Sequence, residues 1–208
     1  MSWSSTITGE AERIEDPRVT LRAGVFRIQD WLSVRAHRGD LPYLLRALAI
    51  EPGFRLLDIG GGTGAYTAVF GQGAEEIVVL EPHDAKVRYG QQRRPNLRFV
   101  SALAEEIPFP DGHFDRTTAI VSLHHVRMPD GALEEIHRVL RAGGRLVVEE
   151  FDPRRGQGRR AHAFERTFGG DQSIFYTPDQ LRSKLEEHGF RGIAHEMVGP
   201  GYLLTADA

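Results

Sequence analysis

The chain has 208 residues, 40% hydrophobic and 26% charged, with a net charge of −3 and no cysteine. That is the composition of an ordinary globular domain with one sizeable core, and it lacks the basic excess of a nucleic-acid binder and every disulfide, thiolate ligand or cysteine nucleophile. No apolar run approaches the roughly 18 residues of a membrane span and residues 1–6 carry no signal-peptide features, so a cytoplasmic protein with no membrane partner is expected.

Residues 1–20 are polar and read as an irregular arm. From Val25 to His37, the residues Val25, Phe26, Ile28, Trp31, Leu32 and Val34 recur at near-helical spacing. The segment reads either as a helix packed on the domain edge or as a lid whose Phe26 or Trp31 closes over a ligand. Asp40 is placed to cap a second helix, with Pro42 in its first turn and Leu44, Leu45, Leu48 and Ile50 as its buried stripe. Residues 1–50 are thus an arm and lid helices on a single domain spanning 1–208.

Pro52-Gly53 turns the chain into a first strand over 55–59, and a Gly-rich loop and a helix to about Phe70 follow. A second strand over 76–80 ends at Glu81-Pro82. Asp84 caps a helix to about Arg93, and a third strand covers 97–100. The turn Phe109-Pro110-Asp111-Gly112 leads to a fourth strand over 114–121. A helix beginning at Asp130 carries Leu133, Ile136, Val139 and Leu140 on one face, and Ala142-Gly143-Gly144 ends it before a fifth strand over 145–151.

Residues 152–176 break the rhythm and read as a substrate-side insertion with a short helix. Thr177-Pro178-Asp179-Gln180 is a capping box with proline at the first helical position. Two last strands, over 192–198 and 202–206, are joined so tightly that they must be antiparallel. The alternation predicts an α/β fold, a doubly wound, seven-stranded, mainly parallel sheet closed by an antiparallel C-terminal hairpin.

In such sheets, ligands bind at the carboxyl ends of the strands where the winding reverses. Asp58-Ile59-Gly60-Gly61-Gly62-Thr63-Gly64 reads as a strand end and a turn whose bare backbone a ligand can approach. Glu81, 17 residues beyond Gly64, stands where a second strand ends and can accept two ribose hydrogen bonds. A nicotinamide dinucleotide site would use the same device. Asp58 separates the two readings: beside the glycine turn it repels a pyrophosphate but suits a phosphate-free cationic ligand. A role tying down loop amides is compatible with both.

The segment 58–64 resembles the first motif of class I S-adenosylmethionine-dependent methyltransferases, and Glu81-Pro82 resembles their ribose-binding acid. Residues 104–115, Ala-Glu-Glu-Ile-Pro-Phe-Pro-Asp-Gly-His-Phe-Asp, are similar to the adenine segment of the small-molecule, quinone-biosynthesis-like subgroup. Residues 138–146 are similar to that subgroup's entry to the fifth strand. The resemblance covers residues 50–151 and implies a Rossmann-like fold with S-adenosylmethionine as cofactor. It further implies contacts from Asp58, Gly60, Gly61, Gly62, Thr63 and Gly64 to the methionine and ribose portions, with Glu81 and Pro82 at the ribose. Leu103, Ala104 and Glu105 would lie at the adenine, and Val121 and Ser122 beyond the fourth strand. Leu103 departs from the family, which often has an acid next to the adenine amine, so adenine is expected to rest on stacking and backbone groups or on Glu105.

By the same resemblance, the reaction is methylation of an O, N or C atom of a small-molecule acceptor. His124 and His125, after the fourth strand, are candidate bases; packing against the next helix is their competing role. His162, Glu165 and Tyr176 are further candidates. Arg154, Arg155, Arg159 and Arg160 could draw in an anionic acceptor, and Phe164, Phe168, Phe175 and Tyr176 could form an aromatic lid. No Asn/Asp-Pro-Pro-Tyr/Phe run follows the fourth strand, which argues against exocyclic-amine methylation, and no metal site is expected. Two rival functions remain: a protein that binds the cofactor without catalysis, and a nicotinamide oxidoreductase, which would need a Tyr-x-x-x-Lys pair that Tyr89 to Arg93 does not supply.

Overall fold

A computed structural model describes residues 17–156 and 173–208. The strands are β1 (Arg55–Ile59), β2 (Glu76–Leu80), β3 (Arg98–Val100), β4 (Phe114–Ile120), β5 (Leu140–Phe151), β6 (Arg191–Val198) and β7 (Gly201–Asp207). They form one sheet in the order β3-β2-β1-β4-β5-β7-β6. Strands β1 to β5 are parallel, whereas β7 runs antiparallel to both β5 and β6. The winding therefore reverses between β1 and β4, and the glycine loop leaves the sheet at that point.

The helices are α1 (Pro17–Ala36), α2 (Leu41–Leu48), α3 (Thr67–Phe70), α4 (Asp84–Arg93), α5 (Pro129–Val139) and α6 (Pro178–Glu187). Side chains alternate along a strand, so each sheet face has its own cluster. Leu57, Ile59, Val78, Leu80 and Val148 pack with α5 and α6 through Leu133, Ile136, Leu181 and Leu185. Leu56, Val147 and Leu203 pack on the opposite face with α2 and α3 through Leu44, Leu48 and Phe70. Full burial of each such side chain contributes about 1.5–3 kcal/mol.

The helical arm begins earlier than the apolar spacing predicts. Residues 17–20 are already helical, because Pro17 suits a first turn whose N–H groups are unpaired in any case. Residues 1–16 lie outside the described residues. Asp40 occupies the cap position of α2, but its side chain makes no capping hydrogen bond. In α2 the buried stripe is Leu44, Ala47 and Leu48, while Leu45 is turned outward. Asp84 is the first residue of α4 with His83 at the cap, and its carboxylate instead accepts a hydrogen bond from Ser101 Oγ at 2.7 Å.

Strand β5 starts at Leu140, directly after α5. The pairing with β4 shifts register between Phe114 and Arg116, so residues 142–144 form a bulge within the strand rather than a turn before it. The capping box of α6 is formed as expected: the Gln180 amide donates to Thr177 Oγ1 at 3.3 Å and the Thr177 amide to Gln180 Oε1 at 2.9 Å. The expected short helix of the insertion, with Arg159, Arg160, His162, Phe164, Glu165 and Phe168, lies outside the described residues. Arg154 is paired with Asp152 at 3.0 Å.

Candidate active site at the sheet switch point

Strand β1 delivers Asp58 and then the loop at residues 60–64 to the switch point. A Cβ at Gly60 would strike Ser122, at Gly61 the Asp58 carboxylate and Val79, and at Gly64 the rings and methyls of Phe99 and Leu97. A Cβ at Gly62 would meet nothing, although φ there is +62°. Gly60, Gly61 and Gly64 are therefore small because protein packs against them. Gly62 faces open space and presents bare backbone to it.

Asp58 is 3% exposed beneath this loop. Its carboxylate accepts from Thr67 Oγ1 at 2.5 Å and from Thr118 Oγ1 at 2.7 Å, hydroxyls rather than loop amides. Burial pushes its pKa up to about 6; the two threonine hydrogen bonds oppose this and the charge of Glu81 adds to it.

Glu81, at the end of β2, is 2% exposed. Its Oε2 accepts from the Gly62 amide at 3.1 Å, and its Oε1 from the His83 amide at 3.0 Å. His83 Nδ1 lies 2.6 Å and Lys86 Nζ 3.5 Å from the same Oε1. The acid is thus fixed against the one glycine of residues 60–64 that faces open space. Pro82 is exposed beside it.

Helix α1 is latched over the loop. Asp30 accepts from the Thr63 hydroxyl and, at 2.7 Å, from Arg94 Nη2, while Arg94 Nη1 donates to the Thr63 carbonyl at 3.0 Å. Between α1 and the loop lies a cavity of about 420 Å³ lined by Asp58, residues 60–63 and Val121, with Ser33 and His37 from the helical arm. That is within the range of small-molecule sites, about 300–1,000 Å³.

Val121 has φ +49°, a strained conformation for a β-branched residue. It is held by its amide donating to the Glu149 carbonyl at 2.7 Å, and the next residue, Ser122, donates from Oγ to the Ile59 carbonyl at 2.7 Å. Further along the same edge, Leu103 is 55% exposed and Ala104 is buried. Glu105 Oε1 accepts from the Met128 amide at 3.1 Å, so this acid is already engaged.

The structure therefore brings Asp58, Gly60, Gly61, Gly62, Thr63 and Val121 to one cavity, with Glu81 meeting it through Gly62. His124 and His125 do not line it. His124 is buried with Nδ1 2.8 Å from Glu150 Oε2, and its ring stacks on Phe175 at 4.3 Å. His125 is exposed beside it. The sequence reading missed His37, Asp40 and Glu149. His37 Nδ1 lies 2.8 Å from Glu149 Oε1, and its ring stacks on Tyr66 at 4.9 Å. Burial disfavours the charged form of His37, but the hydrogen bond to Glu149 and its charge outweigh that and raise the pKa. The detectable signal was the acid pair Glu149-Glu150 ending an otherwise apolar buried strand. Alternation sends one acid to each sheet face, and each finds a histidine.

Residues 57–148 match the family model for a methyltransferase domain. Over that stretch the chain carries a methyltransferase domain similar to those of the class I S-adenosylmethionine-dependent methyltransferases. It is 35% identical over 153 residues to the ubiquinone/menaquinone biosynthesis C-methyltransferase UbiE of Shewanella oneidensis, a match covering 65% of this chain and 61% of that protein. The chain thus spans about three fifths of the length of the curated relatives it matches.

Two solved structures share the family fold across 91% of this chain. The methyltransferase seen in complex with the Haloferax volcanii Trm112 activator has a TM-score of 0.77 at 16% identity and is covered over 97% of its length. An S-adenosylmethionine-dependent methyltransferase from Thermotoga maritima has a TM-score of 0.71 at 20% identity and is covered over 98%. At these identities the likeness concerns the fold. No helix among the described residues is long and apolar enough to cross a membrane.

Proposed function

We propose that the chain binds S-adenosylmethionine in the cavity at residues 58–63 and transfers its methyl group to a small-molecule acceptor. The observation that carries this reading is the pairing of Gly62 with Glu81: a bare backbone position facing open space, with a buried carboxylate fixed beside it. These residues fit the cofactor. Glu81 offers charge-assisted acceptance to ribose hydroxyls, each worth about 1.5–3 kcal/mol, and Asp58 adds negative charge where the ligand is cationic. A dinucleotide fits less well. The Gly62 amide that would serve a phosphate is already given to Glu81, and Asp58 lies directly under the turn.

When bound, the cofactor supplies a methyl group on a sulfonium leaving group. The chain's own contribution is then alignment and exclusion of water, and orientation of this kind can supply up to about 7–11 kcal/mol of barrier reduction. Glu81 and the loop backbone fix the donor, and α1, latched through Asp30, covers it. His124, held by Glu150 on the other sheet face, supports packing in this reading rather than proton transfer.

The relative's name favours carbon methylation of a quinol-like aromatic over O- or N-methylation, and we adopt that as the acceptor class. Calorimetry with S-adenosylmethionine, followed by transfer of labelled methyl to a hydroquinone panel, tests both steps. Binding without transfer to any acceptor would leave a cofactor-binding protein, and no binding would overturn the reading.

A further inference from the structure

We propose that His37, Asp40 and Glu149 form a binding site for one first-row divalent cation at the wall of the cavity. The three residues come from the end of α1, the turn into α2 and the end of β5. One potential ligand atom from each lies within 4.8 Å of the other two. Metal bonds of about 2.0–2.2 Å set neighbouring ligand atoms about 3.0–3.5 Å apart, so closure needs only small side-chain movements.

Two observations point to a missing positive charge in the cluster. Glu149 is 6% exposed, and its Oε2 is buried with no hydrogen-bond partner among the described residues, although its Oε1 meets His37. A buried carboxylate oxygen without a donor is costly, and the remedies are a proton or a cation. Asp40 stands at a helix cap, the position where aspartate is most useful to the backbone, yet its side chain makes no cap bond. It is turned toward Glu149 instead.

Two carboxylates and one imidazole carry a surplus of negative charge, and no arginine or lysine is paired with them among the described residues. Imidazole with two carboxylates suits Zn²⁺ or Mn²⁺ better than Mg²⁺, which prefers an all-oxygen shell. Three protein ligands would leave further coordination positions for water or for an oxygen ligand in the cavity that His37 lines.

The test is titration of the metal-stripped full chain with Mn²⁺, read by electron paramagnetic resonance of free Mn²⁺, and with Zn²⁺, read by calorimetry. No methyl donor is added, so the result does not depend on the methyltransferase reading. One equivalent is expected to bind the wild type. Glu149→Gln and His37→Ala should each weaken binding at least 30-fold, while Asp111→Asn, an exposed carboxylate elsewhere, should not change it. No stoichiometric binding by the wild type up to millimolar metal overturns the proposal whether or not the variants fold. Unchanged affinity in folded Glu149→Gln, checked by circular dichroism, would assign the metal to other acids and overturn it too.

Discussion

The amide of Gly62 donates to Glu81 Oε2 at 3.1 Å, so the loop after β1 and the acid after β2 are one hydrogen-bonded unit. Glu81 therefore holds the loop in shape, and in the proposed function it also offers its remaining lone pairs to ribose. Glu81→Ala is expected to weaken S-adenosylmethionine binding by about 10- to 150-fold for each ribose hydrogen bond lost, as read by calorimetry. Glu81→Gln, which keeps one acceptor for Gly62, should retain more affinity than alanine. Equal losses would mean that the loop contact is irrelevant.

The glycines separate stability from binding. Gly62→Ala adds a Cβ that touches no protein atom and costs only the left-handed backbone strain, about 1–2 kcal/mol. It should melt a few degrees below the wild type yet lose adenosyl-ligand binding. Gly61→Ala forces a Cβ into the Asp58 carboxylate and Val79 and should cost more stability than Gly62→Ala. Thermal melts beside calorimetry on both variants check this ordering.

Asp58 ties folding and ligand affinity to pH. Its folded pKa, about 6, lies above the ordinary 3.8, so the folded state favours the protonated acid. Its contribution is fully present below pH 3.8 and is lost as pH rises through about 6, a difference of about 3 kcal/mol. Asp58→Asn should flatten the stability profile between about pH 4 and 6.5 as read by urea melts. A cationic ligand favours the ionised acid, so S-adenosylmethionine affinity should rise across that same window in the wild type and not in Asp58→Asn.

Asp30 joins α1 to the loop through Thr63 and Arg94. Asp30→Ala removes a half-buried ion pair and a hydroxyl contact together, and it should raise amide exchange over residues 24–36 while leaving the β1 and β4 amides protected. Faster ligand association and dissociation in stopped flow should accompany it. Unchanged exchange would show that α1 is held by packing alone.

The strands and most helices were legible because their signals are local. Apolar runs bounded by Pro52-Gly53, Asp111-Gly112 and Gly199-Pro200 fixed the strand limits, and Thr177 to Gln180 spelled a cap that formed. The positions of the loop and Glu81 were legible because a tight turn after a strand calls for glycine and a lone acid stands out at the end of an apolar run. What escaped depended on distance in sequence. His37 meets Glu149 across 112 positions, and Asp40, read locally, looked like an ordinary cap. His124, read as a candidate base, lies on the opposite sheet face because alternation along β5 sends its partner Glu150 away from the cavity. Nothing local to residues 124–125 reveals that.

Strand β6 touches the sheet only through β7, which itself lies against β5. Assembly order and chain order are therefore inverted at this edge: residues 191–198 have nothing to zip onto until residues 201–207 are in place. The tight turn between them offers a shortcut, since a hairpin closes locally in about 1–10 μs. Docking of that preformed unit must then close the long excursion from Phe151 to Gly201, a loop whose entropy is lost before any pairing compensates. The kinetic bottleneck of this fold is thus expected at the β5–β7 seam, far from the glycine turn.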